Sequence, residues 1–273
     1  MIRREAPDHF DLITQHDHAL FAGELARRLG NATFSTPSPY EITIEAIAHH
    51  DAGWPLHDDN PTLNRQNLPL HVFEVSAPLA TQVWSASVAR AMNLGDYQGL
   101  LVSLHVLGLS TFAMDHLKDA PRPDVFEINK FQHRQIEIQD DLRKRLGLRT
   151  DIPLHLGLAR PGTSPADDQL LFNFRLLTAM DRVSLSLCTG QLLFPKIDDL
   201  PPHPGQPPLS ITLEMPDPAT MTLDPWPFDQ PELTFEIPAR RVQKEPFASV
   251  EQFQSVYRAA PTEPLTLTVT ACP

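Results

Sequence analysis

Up to about Gly190 the apolar residues recur three and four positions apart, and beyond it they alternate with polar ones. The first spacing predicts helices and the second predicts strands. Thr14 with Asp17 has the form of a capping box and opens a helix that runs to about Gly30. Ser38-Pro39 with Glu41 opens a second, which ends near His50. Ser76 to about Met92 reads as a third, and Asp96 starts a fourth through "YQGLLVSLHVLGLSTFAMDHL". A long amphipathic helix is expected over roughly Val125 to Leu146, with Lys144 and Arg145 near its C-terminus, where cations favour the helix dipole. The last, "DDQLLFNFRLLTAMDRVSLSLCTG", opens on two carboxylates and stops at Gly190.

Residues 195–273 hold 16 of the 28 prolines, so the break in periodicity is also a break in composition. Between the prolines, "LSITLEM", "ELTFEIPARRV" and "LTLTVTA" each place apolar residues at every second position. Proline inside or beside such runs points to edge strands and short pairings. One short helix is expected near "SVEQFQSVYRAA". The expected fold class is mainly α: a helical domain over residues 1–194, with a small, proline-rich, β-containing C-terminal extension over 195–273 packed on it.

The helical faces contain polar residues where apolar ones are expected. His18 shares a face with Ala22, Leu25 and Leu29, and Asp51 with Ile44, Ile47 and Ala48. His50 lies at the edge of that second face, and His49 is turned away from it. His105 falls with Leu101, Gly108 and Phe112, and Asp181 with Phe174, Leu177, Leu185 and Cys188. A lone ionised carboxylate is very costly to bury unless something pairs with it. Asp51 and Asp181 therefore both need partners, and Arg182 is about 100° round the helix from Asp181. A divalent cation would satisfy both carboxylates and the imidazoles together.

Composition narrows the function classes. The chain of 273 residues, 41% hydrophobic and 21% charged, is that of a soluble globular protein, and no stretch reads as apolar for long enough to span a bilayer. The opening "MIRREAPDHF" lacks the apolar core of a secretory signal. Two cysteines, Cys188 and Cys272, make no disulfide framework and suit a reducing compartment, so a cytoplasmic location is expected. A net charge of −12 opposes binding to a nucleic-acid backbone. It leaves room for a small phosphorylated substrate, because a bound metal supplies local positive charge. Twelve histidines is a high count, and a metal site is one reason for it.

The dipeptide His-Asp occurs three times, at His16-Asp17, His50-Asp51 and His57-Asp58, so it decides nothing alone. Taken in order, "HALFAGELA" from His18, "AIAHHDAG" around His50-Asp51 and "LLTAMDRVSL" around Asp181 resemble the H…HD…D pattern of the HD-domain superfamily of metal-dependent phosphohydrolases. The likeness covers roughly residues 14–190. More narrowly, the chain resembles an HD-related bacterial family of unknown function that joins such a helical core to a Pro-Trp-Pro-Phe segment, here Pro225 to Phe228.

The resemblance implies an HD-like bundle in which His18, His50, Asp51 and Asp181 hold one divalent ion, with Mn, Fe, Co, Ni and Zn all compatible with the residue types. Some superfamily members add two histidines and a second metal, for which His71 and His105 are the candidates. The implied activity is that of a metal-dependent hydrolase acting on a small phosphorylated molecule through a metal-activated water. The alternatives are a di-iron oxygenase and a non-catalytic, metal-stabilised binding or regulatory module. Asp58, Asp59 and His105 are the candidate acid–base residues. His49 and Trp54 are candidates for contacting substrate, although a tryptophan after the metal dipeptide departs from well-studied HD enzymes and argues against a nucleotide. No run of Lys or Arg suggests a clamp for a large polyanion.

Overall fold

The computed structural model describes residues 1–116, 122–149 and 164–272. Two short strands, β1 (Ile2–Glu5) and β2 (His9–Ile13), precede α1 (Gln15–Arg27) and α2 (Tyr40–Ala48). A single turn of helix, α3 (Pro55–Asp58), leads to α4 (Ala77–Leu94), α5 (Asp96–His116), α6 (Arg122–Leu146) and α7 (Pro165–Thr189). The chain then forms β3 (Lys196–Leu200), β4 (Leu209–Asp217), β5 (Thr220–Asp224), β6 (Glu232–Gln243), α8 (Val250–Ala259) and β7 (Thr262–Ala271). The expected helices are all present within a few residues, and the expected end of the fourth, Leu117, lies outside the described residues.

The expected fold class is not. Half of the chain is helical and 22% is strand, and a curled, seven-stranded half-barrel sheet is a major part of the molecule. A mainly α bundle with a small β extension therefore does not describe it. The sheet order is β1-β2-β6-β7-β5-β4-β3, so strands from the first thirteen residues join strands from the last eighty. All pairings are antiparallel except β5 with β7.

Period-two burial orients the sheet. Ile211 and Leu213 of β4, Met221 and Leu223 of β5, Leu233 and Ile237 of β6, and Leu267 and Val269 of β7 all point into one core. α7 and α1 pack against that face, and the remaining long helices lie beyond them. β2 is buried on both faces: Ile13 enters this core, while Phe10 and Leu12 meet Val242, Phe253 and Tyr257 under α8. Over Asp96–Met114, α5 is long and apolar enough to cross a membrane by length and composition, contrary to the sequence expectation. In the fold 61% of that stretch is buried, packed among α2, α4, α6 and α7.

The Pro-Trp-Pro-Phe segment has a structural role. Phe228 bridges Leu29, the Gly30 N–H donates to the Pro227 carbonyl at 3.0 Å, and the Asn31 amide donates to the Trp226 carbonyl at 2.8 Å. The connection between β5 and β6 thus clasps the C-terminal end of α1.

At Gly53, just after α2, the backbone runs directly against α4. The Gly53 N–H donates to Ser87 Oγ at 2.9 Å, and a Cβ there would lie 2.0 Å from the Val83 carbonyl oxygen. Glycine is required for this contact because it alone has no Cβ. Gly53→Ala is expected to cost about 3 kcal/mol, read as a lower urea midpoint of unfolding; a midpoint equal to wild type would show that α4 can give way.

Candidate metal centre

Four helices deliver five polar side chains to one buried place. His18 comes from the second turn of α1, which is capped by Thr14 accepting from the Asp17 N–H. His50 and Asp51 follow the end of α2, His105 is mid-α5 and Asp181 is in the C-terminal half of α7. All five are buried. The approach of α2 to α1 depends on Gly23, where a Cβ would come within 2.6 Å of Ala48 Cβ.

Asp181 is the hub. Its Oδ1 lies 3.0 Å from His18 Nε2 and 3.4 Å from His50 Nε2, and its Oδ2 lies 4.0 Å from His105 Nε2. Asp51 Oδ2 is 3.7 Å from His50 Nε2. Two overlapping sets, His18–His50–Asp51 and His50–His105–Asp181, have ligand-capable atoms within 4.8 Å of one another.

The far side of each imidazole decides what the near side offers. His50 Nδ1 lies 2.7 Å from the Ile47 carbonyl, which can only accept, so Nδ1 carries a proton and a neutral ring presents the Nε2 lone pair. Ser184 Oγ donates to the Asp181 carbonyl at 3.0 Å, so its lone pair accepts from His18 Nδ1–H, also at 3.0 Å. His18 Nε2 thus faces a carboxylate oxygen with a lone pair of its own unless a proton or a cation lies between them. His50 Nε2, His105 Nε2 and Asp51 Oδ1 are buried without a hydrogen-bond partner. Orphaned buried polar atoms are rare, and three at one point, all of ligand type, fit a cation.

The electrostatics agree. Burial disfavours a charged His50, yet the Asp51 and Asp181 carboxylates outweigh it and raise its pKa to about 9. Burial pushes Asp51 upward against the opposing pull of His50 and His18. Burial also opposes ionisation of Asp181, but the His18 contact at 3.0 Å and the nearby His50 and His105 imidazoles hold it well below the usual carboxylate range. His105 is pushed down to about 3, chiefly by burial, and is a neutral lone-pair donor at ordinary pH.

The chain belongs by sequence to a described family. A family profile described as "Protein of unknown function (DUF3891)" matches residues 1–244. This chain is a member of the DUF3891 family. The DUF3891 match spans β1 to β6 and so takes in all five residues of the centre as well as most of the sheet. No curated protein and no solved structure matches the chain.

The other residues singled out by sequence lie elsewhere or are already engaged. His71 caps the short 3₁₀ turn Val72–Glu74: its Nδ1 accepts from the Phe73 N–H at 3.1 Å, and its ring stacks on Phe73. It belongs to neither ligand set. Asp58 is buried, 2.9 Å from the amino nitrogen of Met1 and accepting from the Gln15 N–H at 2.8 Å, so its carboxylate is committed to structure. Asp59 is exposed at the end of α3. Trp54 is a core residue packed with Val83, Trp84 and Val88. His49 is half-buried, with Nδ1 on the Glu45 carbonyl at 3.0 Å and its ring 6.2 Å from that of His16. Arg182 turns away to Asp199 at 3.3 Å.

Two polar neighbours of the cluster were missed from sequence. Gln15 donates to Asp51, and Ser184 orients His18. Each sits three residues from a member of the cluster on its own helix, Gln15 before His18 and Ser184 after Asp181, and that spacing places them on the same face.

His71 gives a pH prediction. Burial, with the Arg3 guanidinium nearby, lowers its pKa from 6.5 to about 4. The unfolded chain therefore binds more protons between those values, and stability falls as the pH drops through that window. Wild type is expected to lose more stability between pH 7 and 4.5 than His71→Asn, which keeps a cap but cannot titrate. Equal losses in urea unfolding at the two pH values would remove His71 from this role.

Proposed function

We propose that the buried centre binds a divalent metal ion and that the protein is a metal-dependent hydrolase of a small phosphorylated molecule, akin to the HD-domain phosphohydrolases that its H…HD…D order resembles. The observation that supports this most directly is the convergence of three imidazole nitrogens and two carboxylates, three of whose atoms have no other partner. His18, His50, Asp51 and Asp181 would hold the ion, and His105 is placed to join them or to share a second. When bound, such an ion lowers the pKa of water toward neutrality and polarises a phosphoryl oxygen.

The chain's own groups do the rest. His50 and His18, held in one tautomer by Ile47 and Ser184, keep their Nε2 lone pairs turned inward. Asp181, with 11% of its side chain exposed, is the member of the set with most contact with solvent, and a substrate would approach from its side. His105, kept neutral by burial, offers its unpartnered Nε2 beside it as a lone-pair donor rather than as a base. Asp58 takes no part in this reading, because its oxygens already hold Met1 and Gln15. The acidic surface selects against nucleic acid, and two free cysteines, one buried and one exposed, fit a cytoplasmic setting.

The near-complete burial of His18 and His50 favours one other reading, a metal held to stabilise a binding module. Elemental analysis and assays of phosphomonoester hydrolysis separate the two. One or two equivalents of metal are expected in wild type, and none in a folded His50→Ala/Asp51→Ala variant. Hydrolysis stimulated by Mn or another divalent ion and abolished in the variant supports catalysis. Bound metal without any such activity supports the module, and the absence of metal after incubation with Mn, Fe, Ni and Zn would overturn both.

A further inference from the structure

Gln15 is the first residue of α1, three positions before His18, and is only 4% exposed. The helix itself makes no use of its side chain, because Thr14 already caps α1 and the Gln15 N–H is satisfied by Asp58 Oδ2 at 2.8 Å. The side chain reaches across to α2 instead. Its Nε2 donates to Asp51 Oδ2 at 3.1 Å, while its Oε1 is buried without a partner. An unpaired buried amide oxygen is unfavourable, and the residue that this side chain bonds, Asp51, itself has an unpartnered Oδ1.

We propose that Gln15 is a positioning residue of this centre. Its amide N–H fixes the direction of the Asp51 carboxylate through Oδ2, the oxygen that lies 3.7 Å from His50 Nε2 and still has a lone pair for the ion, while its Oε1 supplies an acceptor for a water molecule. A neutral amide suits the place better than a charged group. A carboxylate would repel Asp51, and an ammonium would compete with the cation. The inference rests on the metal reading and adds a residue that the H…HD…D order does not contain.

The test measures metal affinity and needs no substrate. Mn²⁺ and Zn²⁺ dissociation constants of the full chain are obtained by competition with a chromophoric chelator, for wild type, Gln15→Met, Asp51→Asn and the double variant, alongside metal-free melting temperatures. Methionine keeps the length and bulk of glutamine without donor or acceptor. Gln15→Met is expected to bind metal about 10- to 100-fold more weakly, the range found when partners of ligands are removed. On the Asp51→Asn background the same change is expected to have a much smaller effect, because the carboxylate it positions has gone. Affinity equal to wild type, or the same fold loss on both backgrounds, would overturn the role, since a packing residue would act alike in each. If Gln15→Met does not fold, Gln15→Asn, one methylene too short to reach Asp51, gives the same reading. A wild type that binds neither ion would instead defeat the metal reading, a result separate from any difference between variants.

Discussion

A carboxylate cannot be left alone among apolar helices, and the position of Asp181 organises much of what surrounds it. α7 packs on α1, α2 and α5 and on the edge strands of the sheet, so a charge on its buried face must be answered from several directions at once. Three imidazoles answer it, one from α1, one from the end of α2 and one from α5. Each of those rings then needs its own orientation fixed, and two of them draw it from a main-chain carbonyl or a serine hydroxyl. The demand spreads outward from one ionised group to a whole neighbourhood of polar contacts.

The sheet meets the geometric side of that demand. α1 carries His18 and is held at its start by the Asp58 contact to Gln15 and at its end by the Pro227–Phe228 clasp. The strand β6, which pairs with both β2 and β7, lies beneath α1 and packs Phe235 against Phe21 with ring centroids 5.1 Å apart. α2 reaches its place because Gly23 lets Ala48 approach, and the following turn is pressed onto α4 at Gly53. The five buried His and Asp side chains therefore sit on well-supported elements, as the proposed metal site would need if its donors are to hold their directions.

Much of this was legible from residue spacing, and the failures have physical causes. The helices showed themselves by period and caps, and the inward aim of His18, Asp51, His105 and Asp181 followed from their faces alone. The N-terminal strands did not show. β1 reads "IRRE", and its Arg4 is buried only because its guanidinium reaches the carbonyls of Leu187 and Pro218, partners more than 180 residues away. β2 is buried on both faces and so has no alternation to detect. Missing these two strands made the β-rich part look like an appendage. Asp58 and Trp54 misled for the opposite reason: each has a residue type that suits a site, and each is taken up by packing or pairing that only the tertiary fold reveals. His71 falls in the same class, a histidine used as a helix cap.

The clasp on α1 bears on how this architecture can be divided. A segment more than 190 residues downstream fastens the helix that presents His18, and strands from the two ends of the chain lie side by side in one sheet. The helical half is consequently not a cassette that could be lifted out or grafted elsewhere with its buried histidines and aspartates in register. Its architecture is closer to that of a vault, in which blocks laid last hold the first in position.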